Sequence, residues 1–543
     1  MKKSLLAFAA LACLATVVTS CDPTETDIVK ATEIDCEIVW WNDYAEDSTS
    51  ADTTRHDYVE GVIEEFNKIY PNIKVTQKYV GNYATIASTV SAGIATGDIP
   101  NIASMYADSA VNFDNSGAVL HSQDYFDDEE IGFGLGYDED GNLVEDSSTE
   151  LDDLNLSVEE EAYGDSDILT LPYSRSSEVL YVNDTVFEKE GAGAAGTDGT
   201  DAAENYGIAY SAPVSTESKQ KYSIPTNYTE LIATARQIKA DYPDIFGDDV
   251  QKDSDGYFVA CPFIYDSADN MFITFCKMLG IDYADGDGDT VAEQVLFNND
   301  EAKAMMVELK KLNNEGLICT ADQLYMSSST YHQYSTSVFD AGDCFMLITS
   351  TTGGSYLAVD GFRTSVNPTP TMNPADLGIT TSASTGSHYA ISQGPSLCLF
   401  KKSDENVNRA TFLFYKFLTN TENTAGLAEA TGYFPVRTSA SQTETMQNIY
   451  ATADVAITDT ADSDMKATKK DKYIAQSYQC NETYIENGDY FMGDVFELSA
   501  SCRTAVDNLV STIFDSTAST DAEIEAVVES AFASAYNSVV SNA

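Results

Sequence analysis

The sequence predicts an α/β fold built on mainly parallel sheets. The stretch 37–44, EIVWWNDY, contains an apolar run that gives way to Asn42 and Asp43. A helical pattern at 57–70 follows and ends before Pro71, and the alternating stretch 73–79 comes next. A strand, a helix and a second strand in this order open a parallel sheet. The fold class follows because this unit recurs further along the chain.

The second unit has helical spacing at 85–96, a C-terminal stop at Gly97 and a strand pattern at 99–105. Three later stretches have the spacing of amphipathic helices. One begins near Asn227, another begins near Asp300, and the third covers 409–418. Two stretches rich in acidic and small residues, 124–167 and 191–223, could bury little apolar area. We expect these two stretches to be surface insertions.

The N-terminus is typical of a secretory signal over residues 1–20. Two lysines precede an apolar stretch at 5–18 that is too short to span a bilayer, and small residues follow. The residues VTSC resemble a lipoprotein processing site, so we expect Cys21 to carry a lipid and 21–35 to form the anchor and tether. A plain signal peptide is the alternative. The expected location is the extracellular face of the cell membrane.

The chain of 543 residues has a formal net charge of −58. This charge opposes binding to nucleic acid, whereas a neutral ligand would be indifferent to it. The cysteines form no C-x-x-C pair and the histidines are scattered, so we expect neither a structural metal nor a cofactor. In the acidic stretch 282–294, Thr290 and Leu296 stand where a calcium loop needs Gly and Glu, and an acidic turn is expected instead.

No nucleophile elbow, zinc-protease motif or phosphate-binding loop occurs in the sequence. We therefore expect no catalytic residues and no enzyme activity. Because two carboxylates about 5 to 9 Å apart are enough for glycoside hydrolysis, a secreted carbohydrate-active enzyme stays open as an alternative. A surface adhesin is a further alternative.

Six blocks of sequence follow one another between about 36 and 440. They are EIVWWNDY, EEFNKIYPNIKV, GDIPNIASMYADSAVNF, LPYSRSSEVLYVNDTVFEKEG, CFMLITSTTGGSYL and a last block from SQGPSLCLF to GYFPVRTSA. In this order they resemble the signatures of the extracellular solute-binding proteins of ABC importers, in the branch that binds sugars and glycerol-3-phosphate. The resemblance implies a two-lobed periplasmic-binding-protein-like fold, with a mainly parallel sheet flanked by helices in each lobe and the ligand cleft between the lobes.

On this basis we expect the first lobe to contain 36–169 and 344–397, and the second lobe to contain 170–343 and 398–543. The resemblance implies a monomeric receptor that binds a mono- or oligosaccharide by lobe closure and delivers it to an ABC permease. The alternative ligand is glycerol-3-phosphate or a glycerophosphodiester.

A departure from the family pattern favours a neutral sugar. The phosphate binders of this family use a late arginine, and the comparable stretch here, GDYFMGDVFEL, contains none. Arg503 is the nearest arginine, and the apolar pattern of its helix predicts that it points elsewhere.

Sugar sites combine aromatic faces with short polar side chains, and in open sheets they lie beyond the carboxyl ends of the strands. From the resemblance, the predicted ligand-binding residues are Trp41, Asn42, Asp43, Tyr83, Tyr106, Asp108, Ser174, Arg175, Ser176, Glu178, Ser350, Thr351, Gly353, Gly354, Gly394, Ser396 and Tyr433. Because side chains alternate along a strand, we expect Trp41 to face the cleft and Trp40 to pack beneath the sheet. The alternative is that both tryptophans fill the core.

Overall fold

The computed structural model describes residues 28–46, 51–138, 140–154, 162–163, 167–183, 186–188, 222–324, 334–357, 364–382, 386–455 and 463–541. The predicted signal peptide, the lipidation site Cys21 and the first part of the tether lie outside these residues. Within the described ranges, no helix has both the length and the apolar character needed to cross a membrane.

The strands, in chain order, are β1 (Cys36–Asn42), β2 (Ile73–Tyr79), β3 (Ile102–Met105), β4 (Leu135–Tyr137), β5 (Leu143–Glu145), β6 (Ala162–Tyr163), β7 (Asp167–Ile168), β8 (Leu171–Pro172), β9 (Glu178–Asn183), β10 (Phe187–Glu188), β11 (Tyr222–Ser223), β12 (Phe263–Tyr265), β13 (Ile318–Thr320), β14 (Met346–Ser350), β15 (Thr364–Asn367), β16 (Ala390–Ile391), β17 (Ser396–Leu399) and β18 (Tyr490–Phe491).

The α-helices are α1 (Ala51–Ile69), α2 (Tyr83–Ile94), α3 (Ala107–Asp114), α4 (Tyr228–Asp241), α5 (Pro243–Phe246), α6 (Ala268–Leu279), α7 (Val291–Gln294), α8 (Asp300–Asn314), α9 (Ser335–Asp340), α10 (Pro374–Leu377), α11 (Glu405–Leu418), α12 (Thr421–Thr431), α13 (Glu444–Tyr450), α14 (Ser463–Asn487), α15 (Ser499–Phe514) and α16 (Asp521–Val540).

Two five-stranded sheets organise the chain. The first has the order β2-β1-β3-β17-β8, and the second has the order β13-β12-β14-β9-β15. In each sheet the first three strands are parallel, and the fourth strand runs antiparallel to both of its neighbours. The predicted two-lobed α/β class is confirmed.

Helices cover both faces of the first sheet. On one face α1 and α11 bury Trp40, Phe66 and Phe414 in a single aromatic cluster. On the other face α2 packs against β3 and α3 packs against β17, with Val90 and Ala103 in the core. The double cover explains why the central strands are mostly apolar on both faces, as in residues 38–41 of β1.

The second sheet is covered in the same way. The helices α4, α6, α8, α15 and α16 bury one face, to which Val182 and Phe263 belong. The helices α9 and α14 bury the opposite face, where Tyr181, Ile264 and Tyr484 pack together. Each sheet therefore has its own hydrophobic core, which is what makes the lobes separate units.

In the described part of the chain, three chain crossings join the lobes, and they are hydrogen-bonded to one another. The crossing between β8 and β9 pairs with the crossing before β17, since Ser176 and Gln393 exchange N–H···O bonds of 2.7 Å in both directions. On its other side it pairs with the crossing after α12, where the Arg175 N–H donates to the Phe434 carbonyl at 3.0 Å. The crossings thus form one narrow ribbon between the lobes.

The predicted division of the chain between the lobes is wrong in two places. The segment 344–397 was expected in the first lobe, yet β14 and β15 lie in the second sheet. The segment after 398 was expected in the second lobe, yet α11 packs against β1. A fully buried strand carries no sequence mark of the sheet that it joins, since both sheets have two covered faces.

Candidate ligand-binding site

A cavity of about 300 Å³ lies between the lobes. Its walls come from the loops after β3 and β12, from the crossing before β17 and from the beginning of α15. Ligands in open α/β sheets bind beyond the carboxyl ends of the strands, where loops rather than packed strands carry the side chains. The position of the cavity fits this rule in both lobes.

The first lobe contributes Tyr106 and Asp108 to the wall. β3 ends at Met105 and α3 begins at Ala107, so Tyr106 caps the helix and Asp108 stands in its first turn. The partial positive charge of a helix N-terminus stabilises a carboxylate at this position. The Tyr106 side chain is 40% exposed, which leaves its ring available to a ligand.

The second lobe contributes an ion pair. Asp269 stands in the first turn of α6, two residues after the N-cap residue Ser267. Arg503, on α15, donates from Nη1 to Asp269 Oδ2 and to Asn270 Oδ1, each at 2.7 Å. The prediction that Arg503 points elsewhere is wrong, because α15 lies against α6 and turns this side chain into the cavity.

Asn270 connects the ion pair to the protein interior. Its Oδ1 also accepts a hydrogen bond from Gln393 Nε2 at 2.8 Å, and its Nδ2 donates to Glu178 Oε1 at 3.1 Å. The Tyr265 hydroxyl donates to the other oxygen of Glu178. Burial raises the pKa of Glu178 to about 8 even though these two donors oppose the rise. Glu178, predicted to contact ligand, is therefore a buried group beneath the wall of the cavity.

The floor of the cavity is the crossing before β17. At Gly394, with φ of +112°, an added Cβ would lie 2.5 Å from the Ser174 carbonyl oxygen, so a side chain would force the crossings apart. Ser396 Oγ accepts a hydrogen bond from Arg175 Nη1 at 3.2 Å. The Ser392 side chain is 6% exposed, lines the cavity and has no hydrogen-bond partner within the described part of the chain.

Tyrosines extend the site beyond the cavity. The rings of Tyr83 and Tyr106 meet edge to face with centroids 5.3 Å apart, and the hydroxyls of Tyr83 and Tyr433 are 3.4 Å apart. The Arg55 guanidinium lies 5.8 Å from the centre of the Tyr433 ring. Burial raises the pKa of each of these three tyrosines, so their hydroxyls stay neutral and can both donate and accept. Asp43 adds its negative charge to the same cluster.

The structure thus brings part of the predicted set together. The residues at the cavity or in the adjoining tyrosine cluster are Asp43, Tyr83, Tyr106, Asp108, Gly394, Ser396 and Tyr433. These residues come from five separate stretches of the chain, so only the fold makes them neighbours.

The two tryptophans lie on opposite faces of the first sheet. Trp40 is fully buried, and its Nε1 donates to Ser104 Oγ at 3.0 Å. Trp41 is 7% exposed and packs with Ile86 and Val90 of α2, away from the cavity wall. The prediction that the two tryptophans point to opposite faces of the sheet is correct. The face that Trp41 occupies is covered by α2, however, and does not open into the cleft.

Asn42 is buried beside Trp41 rather than presented to a ligand. Its Nδ2 donates to Gln77 Oε1 at 3.0 Å, and its Oδ1 accepts from the Tyr44 N–H. Both ends of the amide are occupied within the first lobe, which corrects its predicted place in the cleft.

The predicted contacts in the first crossing are also buried. Ser174, Arg175 and Ser176 are each less than 5% exposed and lie between the other two crossings. Their backbone groups hold the ribbon together, and Arg175 reaches the Pro395 carbonyl as well as Ser396. Their observed role is to join the lobes, beneath the floor of the cavity.

The turn after β14 packs inside the second lobe. The Tyr181 hydroxyl donates to the carbonyl oxygens of Ser350 and Thr351, and Thr351 is fully buried. A Cβ on Gly353 would lie 3.1 Å from a Thr349 methyl group, and one on Gly354 would lie 3.2 Å from Tyr473 Cβ. The glycines allow the turn to approach α14, and none of these residues lines the cavity.

Several lining residues were absent from the predicted set, including Ser267, Asp269, Tyr283, Ser392 and Arg503. The sequence carries a signal for one of them. Asp269 follows β12 in the stretch SAD, just as Asp108 follows β3 in YAD. The others depend on the packing of α15 and of the acidic turn, which no local pattern reveals.

The acidic stretch forms a turn, as expected. The Asp285 N–H donates to the Gln294 carbonyl, and the Leu296 N–H donates to the Tyr283 carbonyl. Among the residues that the structure describes, no group of three or more His, Cys, Asp or Glu side chains could hold a metal ion.

Two α/β lobes, three crossings and a polar cavity between strand ends define a two-lobed solute-binding protein. The chain belongs to the family of bacterial extracellular solute-binding proteins, whose sequence profile matches residues 61–458. Members of this family are binding proteins rather than enzymes, and they serve as the solute receptors of ABC importers.

Similar proteins include the sn-glycerol-3-phosphate-binding periplasmic protein UgpB of Salmonella typhimurium, 24% identical over 392 residues, which are 72% of this chain and 74% of the relative. Two solved structures share the fold at a TM-score of 0.58. One is a cyclic alpha-maltosyl-1,6-maltose binding protein of Arthrobacter globiformis, 13% identical, with 94% of this chain and 99% of that chain covered. The other is UgpB of Mycobacterium tuberculosis in complex with glycerophosphocholine, 15% identical, with 93% and 99% covered.

Proposed function

We propose that this chain is a lipid-anchored extracellular receptor that binds a carbohydrate by lobe closure and delivers it to an ABC permease. The choice of a carbohydrate as ligand rests on the side chains that line the cavity. Carboxylates, hydroxyls and tyrosine rings surround an arginine that is already paired with Asp269. Sugar hydroxyls donate to carboxylates, and aromatic faces cover the C–H side of a sugar ring. The same groups would serve a mono- or an oligosaccharide.

A phosphate ester fits this cavity less well. It would share Arg503 with Asp269 and lie close to Asp108 and Asp494, which also line the cavity. Bringing like charges together in a partly dry cleft is unfavourable, and this repulsion selects against anionic ligands.

Glycerol-3-phosphate or a glycerophosphodiester is the second candidate, and two observations favour it. UgpB proteins are among the relatives of this chain. Arg503 also lines the cavity and could bond a phosphate if the ligand drew it away from Asp269.

The two-sided wall supports binding by closure. Tyr106 and Asp108 belong to the first lobe, whereas Asp269 and Arg503 belong to the second. A ligand that touches both walls gains contacts in the closed state that the open state lacks, so it shifts the equilibrium toward closure. The ribbon of three crossings is the hinge in this proposal.

The proposed anchor would hold the protein through its first lobe. The Val29 N–H donates to Asn406 Oδ1 at 3.1 Å, and Arg409 Nη1 donates to the Val29 carbonyl at 2.7 Å. The Ala31 N–H donates to Glu130 Oε1 at 3.1 Å. The end of the tether is thereby fixed near the beginning of α11, and the second lobe stays unconstrained.

A thermal-shift screen of the purified full-length chain tests the proposed function. The panel contains mono- and oligosaccharides, glycerol-3-phosphate, glycerophosphodiesters and calcium. A ligand at 100 times its dissociation constant stabilises the folded state by about 2.7 kcal/mol, which raises the melting temperature measurably. We expect a rise with one class of sugar.

The matched variants are Arg503→Gln, in the cavity, and Arg236→Gln, at a surface ion pair with Glu315. The first should lose the ligand-induced rise and the second should keep it. A rise with a phosphate ester and with no sugar would overturn the carbohydrate proposal. Release of a shortened sugar during incubation would favour the enzyme alternative.

A further inference from the structure

The cavity contains more acidic than basic side chains. Among the described residues that line it, the carboxylates are Asp108, Asp269 and Asp494, and the cation is Arg503. Asp269 and Arg503 form a salt bridge of 2.7 Å. Asp108 and Asp494 have no salt-bridge partner within the described ranges. Two carboxylates at the cavity therefore form no ion pair of their own, although the charge of Arg503 also acts on Asp108.

The surroundings do not supply the missing cation. The acidic turn packs against Asp494, since an added Cβ on Gly286 would lie 3.3 Å from Asp494 Cβ. Lys277 acts on Asp494 from outside the cavity, but its ammonium lies over the rings of Tyr389 and Phe491, 5.4 and 5.7 Å from their centres. The described side chains that line the cavity thus carry a negative formal charge, with three carboxylates against one guanidinium.

Two further features of the wall suit a small cation that donates hydrogen bonds. The buried Ser392 hydroxyl lacks a partner among the described residues, although a buried hydroxyl is ordinarily hydrogen-bonded. The rings of Tyr106 and Tyr283 line the same space, and aromatic faces attract cations.

Lobe closure makes the missing charge matter more. Asp108 belongs to the first lobe, and Asp494 packs with the second, so closing the cleft takes both carboxylates further from water. Burial already raises the pKa of both groups. A neutral ligand would leave the ionised carboxylates further from water, with hydrogen bonds from Ser109 and from the Gly286 backbone but with no ion pair, which opposes closure.

We infer that the ligand is a carbohydrate that carries a protonated amino group, and that its ammonium lies between Asp108 and Asp494. An ammonium has three N–H donors, enough for both carboxylates and the Ser392 hydroxyl. The inference rests on the proposed function, because it assigns a charge to the carbohydrate proposed there.

Isothermal titration calorimetry with matched sugars tests this inference on the purified full-length chain. In three pairs an amine replaces the hydroxyl at one carbon: glucosamine and glucose, galactosamine and galactose, and mannosamine and mannose. In the fourth pair, the β-1,4-linked glucosamine disaccharide and cellobiose, the replacement occurs at one carbon of each ring. Glycerol-3-phosphate and glycerophosphocholine complete the panel. In at least one pair the amine should bind about tenfold more tightly than its neutral counterpart, and added salt should weaken that preference.

Variants locate the charge. Asp108→Asn and Asp494→Asn should each reduce the preference for the amine severalfold, while melting curves show that each variant is folded. Asp244→Asn removes an exposed carboxylate from the first turn of α5, outside the cavity, and should leave the preference unchanged.

The outcomes separate the two proposals. Equal or tighter binding of the neutral sugar in every pair that binds would overturn the inference and leave the carbohydrate receptor standing. Binding of a phosphate compound with no binding of any sugar would overturn both. An amine preference that survives both Asp→Asn changes would overturn the location between these carboxylates.

Discussion

Glu178 is a carboxyl group buried in the second lobe, directly beneath the cavity wall. Its two oxygens accept hydrogen bonds from Tyr265 and Asn270, and burial raises its pKa from an ordinary 4.5 to about 8. The protonated form is therefore favoured in the folded state near neutral pH. Because Asn270 also bonds Arg503, the protonation of Glu178 is linked to the arrangement of the ligand site.

This pKa makes the stability of the protein depend on pH. Between about 4.5 and about 8 the folded state binds more protons at Glu178 than the unfolded state does, so the contribution of Glu178 is fully present below this window and is lost as the pH rises through it. The slope for one proton is at most about 1.4 kcal/mol per pH unit. In Glu178→Gln we expect this contribution to the pH dependence of the free energy of unfolding to vanish. Urea unfolding at a series of pH values between about 4.5 and about 8 measures it.

Asp343 provides the control for this measurement. Its pKa is raised by burial only to about 6, so Asp343→Asn should change the slope below about pH 6 and leave the upper part intact. Identical slopes for Glu178→Gln and the unmodified protein would show that Glu178 is charged in the folded state.

From the sequence, a single residue could be assigned to one face of its strand or helix. The residues that pack against it from other elements could not be predicted. The alternation along β1 separates Trp40 from Trp41 correctly. What covers each face is set by α11 and α2, which pack from distant parts of the chain. For the same reason Arg503 could not be placed, since its direction depends on the contact between α15 and α6.

Among the structural elements near the site, the crossings approach one another closely at Gly394. Gly394→Ala would force a side chain into a left-handed conformation and place its Cβ 2.5 Å from the Ser174 carbonyl oxygen. Strain of this kind costs about 1–3 kcal/mol, and the clash adds to it. We expect a lower melting temperature and weaker ligand binding, because the crossings would be pushed apart.

Gly378→Ala is the matched control. Gly378 ends α10 with φ of +68°, but an added Cβ there would meet no atom within 4 Å. Gly378→Ala should lower the free energy of unfolding by about 1 kcal/mol, because a residue with a side chain disfavours the left-handed backbone conformation. Equal losses in the two variants would show that the contact between the crossings is unimportant.

Helices were predictable where local chemistry defines them. The helix expected to begin near Asn227 does so as α4, where the Asn227 side chain accepts from the Glu230 N–H. The helix expected near Asp300 begins there as α8, behind the cap Asn299. The sheet membership of β14 and β15 was not predictable, because buried strands look alike whichever sheet they join.

At the scale of the whole molecule, the net charge of −58 is the dominant electrostatic feature. Such a charge repels itself within a compact fold, and salt screens the repulsion, with a Debye length of about 10 Å at 0.1 M. We expect the melting temperature of the ligand-free protein to rise as sodium chloride increases, and potassium chloride to act equally. A melting temperature that falls with salt would mean that local ion pairs outweigh the overall repulsion.

The two-lobed architecture was predictable from ordered sequence blocks, because a family resemblance reports the whole fold at once. The balance of acidic and basic side chains in the cavity was not predictable from the sequence. It depends on which of 87 acidic residues face the cleft, and residues from both lobes and from α15 meet there only after folding.

The hydrogen bonds that hold 28–34 to the beginning of α11 have a mechanical consequence. If the chain is tethered at its N-terminus, the first lobe is the stationary body and the second lobe is the one that swings. A permease beside the membrane would then meet one fixed face and one moving face, and only the moving face would report that the cleft is occupied.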